Sequence, residues 1–161
     1  MILDVTAGNR HLWKNKNPDQ VIFLDEEIRL RIPPHIFSVW RYLPFRDNSF
    51  DCIIFDPPHV FSLTSQFNKD PKAKPHGQKK IPGWYGAFKS RIDALTQIFH
   101  AQKEFSRVAP RMCFKWNEAS LSLWNVIGLF DCWKVQFKVP AKHLRSVKTW
   151  WVKFIRINNY I

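Results

Sequence analysis

Glycine is scarce in this chain, with five in 161 residues. Only Gly8 falls in the turn after the first strand-like run, so a G-x-G-x-x-G dinucleotide fingerprint is excluded. Cysteine is scarcer still: Cys52, Cys113 and Cys132 lie in apolar, strand-like runs at spacings that make no metal motif. They are expected to be reduced core residues of a cytoplasmic protein. No apolar run reaches transmembrane length, and Met1-Ile2-Leu3-Asp4 is no signal peptide. There is no internal repeat and no linker marking a second domain. Acid is missing from one region altogether: residues 134–161 hold seven basic side chains and no Asp or Glu. Residues 1–33 are balanced, so the net charge of +12 is one-sided and suits a polyanionic partner, nucleic acid foremost. Charge alone cannot separate DNA from RNA.

Aromatic residues are plentiful, with eight Trp and fourteen Phe. They can fill a core or stack on bases. Trp124 and Trp133 are read as core.

The apolar run Cys52-Ile53-Ile54-Phe55 reads as a buried parallel strand that stops abruptly at Asp56-Pro57-Pro58-His59. Proline lacks an N–H and fixes φ, so the two prolines end the sheet in a rigid corner. In open α/β sheets, ligands sit just outside such strand ends. The Asp56 carboxylate and the Pro57 carbonyl can accept the two hydrogens of an exocyclic amine, and the His59 ring can stack on the attached base. Taken alone, the same residues also fit a plain strand followed by a turn.

In chain order, strands are expected near 1–5, 21–25, 36–40, 51–56, 111–116, 132–139 and 149–157. A short amphipathic stretch through Leu12 and Trp13 follows the first turn. Asp25 ends the second strand, where such folds grip ribose hydroxyls. Residues 87–108 read as a helix through Phe88, Ile92, Leu95, Ile98, Phe99, Phe105 and Val108. Asn117 is the expected N-cap of a second helix over 118–129. The last two strands lack a crossover helix between them and are expected to be antiparallel to each other. Strand–helix alternation gives an α/β sheet. The long aperiodic stretch 60–86 sets Lys69, Lys72, Lys74, Lys79 and Lys80 among Phe61, Phe67, Trp84 and Tyr85. That mixture suits single-stranded or flipped-out nucleic acid, and loops of this length are usually functional or mobile.

In this order the chain resembles the class I S-adenosylmethionine-dependent methyltransferases. More narrowly it resembles the amino-methyltransferases with an Asp-Pro-Pro-aromatic motif, above all the small DNA adenine-N6 methyltransferases of phages and mobile elements. The residues that carry the likeness are Asp4-Val5-Thr6-Ala7-Gly8-Asn9-Arg10, Asp25, Leu43-Pro44-Phe45, Asp56-Pro57-Pro58-His59, Trp84-Tyr85-Gly86, Phe114-Lys115-Trp116-Asn117-Glu118 and Lys148-Thr149.

The resemblance implies a Rossmann-like seven-stranded sheet, mostly parallel with an antiparallel C-terminal strand and helices on both faces, in one minimal domain over 1–161. It implies S-adenosyl-L-methionine held by Asp4, Thr6, Ala7, Gly8, Asn9, Arg10 and Asp25, with Trp40 and Asp47 also toward the cofactor. Catalysis would rest on Asp56, Pro57, Pro58 and His59, with Phe61, Lys79, Lys80, Trp84, Tyr85, Lys115 and Lys148 toward substrate. Two departures stand out. The motif ends in His59 where relatives carry Tyr, Phe or Trp. Relatives also carry an acid at the third strand toward the cofactor adenine, whereas here Val39 and Trp40 occupy that region and Asp47 is the substitute acid. The implied site is the cytoplasm, of a host cell if the protein is viral. Without a separate recognition domain, a homodimer or a partner subunit would complete target selection. RNA methylation at adenine N6 or guanine N2, a noncatalytic nucleic-acid-binding subunit and protein-glutamine methylation stay open.

Overall fold

The computed structural model describes residues 1–60, 87–141 and 148–157. They form one seven-stranded sheet: β1 (Ile2–Asp4), β2 (Val21–Asp25), β3 (Ile36–Phe37), β4 (Cys52–Phe55), β5 (Arg111–Asn117), β6 (Trp133–Pro140) and β7 (Thr149–Arg156). The order across the sheet is β3-β2-β1-β4-β5-β7-β6. Neighbours from β3 to β5 are parallel, and β7 runs antiparallel to both β5 and β6. This is the mostly parallel Rossmann-like sheet expected from the sequence. The strand order reverses at β1, which opens the crevice where such sheets take ligands.

Two helices are described, α1 (Arg91–Val108) and α2 (Leu123–Ile127). α1 starts four residues later than its apolar spacing suggests, because Ser90 caps it. The Ser90 hydroxyl accepts the Asp93 N–H, and the Asp93 carboxylate accepts the Lys89 N–H. Such reciprocal capping fixes a first turn. Ile92, expected on the buried stripe, is instead exposed. α2 is shorter than expected and is capped by Ser122, not Asn117. The stretch around Leu12 and Trp13 forms turns, not a helix.

One main core lies on one face of the sheet. Leu3, Ile53, Phe55, Met112, Phe114, Val152 and Phe154 meet the α1 residues Ala94, Ile98, Ala101, Phe105 and Val108. A second, smaller cluster of Ala7, Val21 and Phe23 lies under Trp13 on the other face. Trp133 is buried as expected, but Trp124 is 65% exposed. Cys52 and Cys113 are half-buried and only Cys132 is buried; all three are free thiols. The β3–β4 connection is pinned to α1 by Arg107, whose guanidinium donates to the carbonyls of Leu43 and Phe45 and to Asp47 and Glu104. Among the described residues, no helix is long and apolar enough to cross a membrane.

Candidate active site

The ends of β1, β2, β4 and β5 converge on a cavity of about 830 Å³, a volume typical of small-molecule sites. Its lining includes Thr6, Ala7, Gly8, Asn9, Asp25, Trp40, Asp56, Pro58 and Lys115. The two stretches that must cooperate, the β1 turn and the Asp-Pro-Pro corner, therefore share one cleft. They are also bonded: the Asp56 backbone N–H donates to Thr6 Oγ1 at 2.8 Å.

The β1 turn is shaped by Gly8, whose φ of +50° lies in the left-handed region. A Cβ built there would meet no atom within 4 Å, so the backbone faces open cavity. The Gly8 N–H donates to Asp25 Oδ2 at 2.8 Å, and the Glu27 N–H donates to Asp25 Oδ1 at 2.9 Å. Asp25 is thus fixed at the rim with both oxygens oriented. Asn9 lines the cavity while its Oδ1 accepts the N–H groups of Arg31 and Ile32. Trp40 is buried at the cavity wall, its ring 5.2 Å from that of Phe55. Glu26, Ile28, His11 and Leu12 are among the other residues that line the cavity. Sequence reasoning missed these four, because no residue type or spacing marks a rim built from two turns.

At the other end, Asp56 Oδ2 accepts from Lys115 Nζ at 2.8 Å, with both side chains largely buried. Burial pushes the Asp56 carboxyl above the usual carboxylate range, and the Lys115 ammonium opposes that rise. Pro57 is buried and Pro58 lines the cavity. His59 is half-buried, and burial holds its imidazole below the usual histidine range. The ring is therefore neutral at neutral pH.

Four expected site residues lie elsewhere. Asp4 is buried beneath the turn, where its carboxylate accepts from Trp13 Nε1 at 2.7 Å and from the Thr6 N–H at 3.2 Å. Desolvation raises its pKa to about 6 despite those bonds. Arg10 turns inward. Its guanidinium stacks on Phe23 at 4.0 Å and donates to the Lys16 and Pro33 carbonyls and to Asn17 Oδ1. It holds two loops together instead of reaching the cavity. Asp47 lies on the surface in its ion pair with Arg107, which leaves no acid near Trp40 from that stretch. Lys148 is exposed; its carbonyl accepts the Glu118 N–H, and its charge is one of the influences that lower the Glu118 pKa. Phe61, Lys79, Lys80, Trp84 and Tyr85 lie outside the described residues.

The motif Phe114-Lys115-Trp116-Asn117-Glu118 finds its partner in the stretch beginning Thr149. Asn117 Nδ2 donates to Thr149 Oγ1 at 2.8 Å, Trp150 Nε1 donates to Glu118 Oε2 at 3.1 Å, and Lys115 Nζ sits 5.9 Å from the Trp151 ring. These pairs lock β5 to β7 beside the cavity.

No family model matches the sequence, and no curated protein matches it. Solved structures do match in shape. The Mtq2–Trm112 complex of E. cuniculi, responsible for methylation of the eRF1 translation termination factor, aligns over 97% of this chain and 84% of its own, with TM-score 0.62 and 15% identity. The fold is the class I methyltransferase fold. The N-methyltransferase NodS of Bradyrhizobium japonicum WM9 aligns over 96% of this chain and 84% of its own, with TM-score 0.57 and 10% identity. Magnesium protoporphyrin IX methyltransferase of Synechocystis PCC 6803, solved with bound S-adenosylmethionine, aligns over 98% and 70%, with TM-score 0.54 and 9% identity.

Proposed function

We propose that the protein transfers a methyl group from S-adenosyl-L-methionine to the exocyclic amine of a nucleobase, adenine N6 in DNA. The observation that carries this reading is the single cavity lined by the Gly8 turn, Asp25 and the Asp56 corner. The donor set fits the cofactor. A carboxylate pinned at the rim suits a ribose diol, the Gly8 turn offers backbone without a side chain, and Trp40 offers an aromatic wall. When bound, the cofactor supplies an electrophilic methyl on sulfur.

The chain's own residues do the positioning. Lys115 holds one oxygen of Asp56 and opposes the rise that burial imposes on its pKa, favouring the ionised form. The other oxygen and the Pro57 carbonyl accept the two amine hydrogens and aim the nitrogen lone pair. Neutral His59 stacks on the base. Asp56 acts by orientation and by stabilising charge as it develops on nitrogen. One hydrogen bond to a charged group is worth about 1.5–3 kcal/mol, or roughly one to two decades of rate.

Incubation with methyl-labelled cofactor and DNA, RNA or protein, followed by nucleoside and amino-acid analysis, tests the proposal. N6-methyladenine from DNA is the expected product. Label in RNA alone moves the reading to an RNA enzyme, and cofactor binding without transfer to any acceptor overturns it. A planar amide on a protein is the second reading, favoured by the shape match to Mtq2–Trm112, and the protein arm of the assay decides it.

A further inference from the structure

Among the described residues, neither α1 nor α2 packs on the face of the sheet opposite the main core over β5, β7 and β6. Side chains alternate between faces along a strand, and directly paired residues share a face. Met112 and Phe114 point into the main core with their partners Phe154 and Val152. Cys113 and Lys115 therefore point the other way, with Lys153 and Trp151. Next along are Phe137, paired with Lys153, and Val139, paired with Trp151. Phe137 is 53% and Val139 45% exposed. The buried residues of α1 and α2 belong to the opposite face.

Two features give this face a chemical direction. Its cations sit on its rings, with Lys115 Nζ 5.9 Å from Trp151 and Lys153 Nζ 5.6 Å from Phe137. It is also continuous with the candidate active site, because Lys115 is both a member of the face and the partner of Asp56. β6 and β7 carry no acid at all.

We propose that this face is the track along which a single-stranded nucleic acid reaches the Asp56 corner. Trp151 and Phe137 are the stacking platforms, and Lys153 is the phosphate contact. The proposal deepens the nucleic-acid reading above and rests on it. A duplex keeps its ring faces stacked inside, so platforms of this kind meet bases only in an unpaired strand. The alternative cluster, Lys138 between Trp124 and Trp150, has the same composition but lies on the opposite face, where Lys138 pairs with Val152.

The test uses the full chain and a fluorescent single-stranded oligodeoxynucleotide, read by anisotropy. Trp151→Ala and Phe137→Ala are each expected to weaken binding by about tenfold, the scale of one lost base stack. Trp124→Ala is expected to leave binding unchanged, and the matching duplex is expected to bind more weakly than the single strand. A second readout needs no substitution. Cys113 lies on the track opposite Lys153, its thiol held below the usual cysteine range by a hydrogen bond from Cys52 and, to a lesser extent, by the Lys153 charge. Its alkylation by iodoacetamide is expected to slow when oligonucleotide is added. Unchanged alkylation, equal loss in Trp124→Ala, or preference for duplex would overturn the track. If base methylation and oligonucleotide binding persist while Trp151→Ala behaves as wild type, the track alone is wrong. If no oligonucleotide binds, both readings fail.

Discussion

The backbone N–H of Asp56 is held by the side chain of Thr6, 50 residues earlier, at 2.8 Å. The bond joins the turn after β1 to the corner after β4, so the two halves of the candidate site cannot drift apart independently. Thr6→Val keeps the shape and removes the acceptor. Leaving that N–H without its partner is expected to cost about 1–3 kcal/mol, seen as a lower urea midpoint, and to reduce turnover more than cofactor affinity.

Asp56→Ala removes the proposed acceptor of the amine hydrogens. Methyl transfer is expected to vanish while calorimetric cofactor affinity stays close to wild type. Equal turnover in both proteins would remove Asp56 from the mechanism.

The ion pair between Asp56 and Lys115 makes a pH prediction with a definite sign. Burial raises the Asp56 pKa and Lys115 lowers it. The carboxylate must be ionised to accept amine hydrogens, so activity is expected to rise along an acidic limb. Lys115→Met removes the opposing charge, which moves that limb to higher pH. A kcat/KM profile that keeps its acidic limb in place would contradict the pairing's role.

Asp4 yields a stability prediction. Its pKa rises from 3.8 unfolded to about 6 folded, so the native state binds the proton more tightly. The resulting stability is fully present below pH 3.8 and is lost as pH rises through about 6. Asn at this position does not titrate. The stability of wild type relative to Asp4→Asn is therefore expected to fall by roughly 2 kcal/mol between pH 4 and 6.5 and to level off above about pH 7. Urea unfolding of both proteins across that range measures it; parallel curves would contradict the burial argument.

Arg10 is nearly buried and donates to three acceptors while stacking on Phe23. Lysine cannot reproduce a planar fork on an aromatic ring. Arg10→Lys is expected to lower stability by about 2–4 kcal/mol, measured by urea unfolding. Thermal scanning should show no dependence of this loss on added cofactor, since the guanidinium does not line the cavity.

The parts of this molecule that depend on local chemistry were legible in the sequence. The apolar runs placed every strand, the Asp-Pro-Pro corner placed the end of β4, and Gly8 and Asp25 fell at the cavity. Lys115 lies near the end of β5 and lines the cavity, where it pairs with Asp56. The parts that depend on distant partners were not legible. Arg10 follows a glycine turn in the manner of a phosphate or cofactor contact, yet Phe23 and the loop carbonyls draw it inward. Asp47 had the right charge, but Arg107, 60 residues away, claims it. Asn117 keeps a local turn, its Oδ1 accepting the Ala119 N–H while its Nδ2 donates to Thr149, but the helix begins later, capped by Ser122. For Arg10 and Asp47 hydrogen bonds to distant residues outweighed a local preference, and single-sequence patterns carry no record of such bonds.

The insertion of β7 between β5 and β6 has a consequence for biosynthesis. During translation β6 emerges first but belongs on the outside, so it has no permanent neighbour until residues 149–156 have left the ribosome. Through that interval the hydrogen-bonding edge of β5 stays open, next to Met112, Phe114 and Trp116. A nascent chain paused there exposes a long apolar strand edge that invites pairing with other chains, so ribosome stalling late in the message would be more damaging than stalling early.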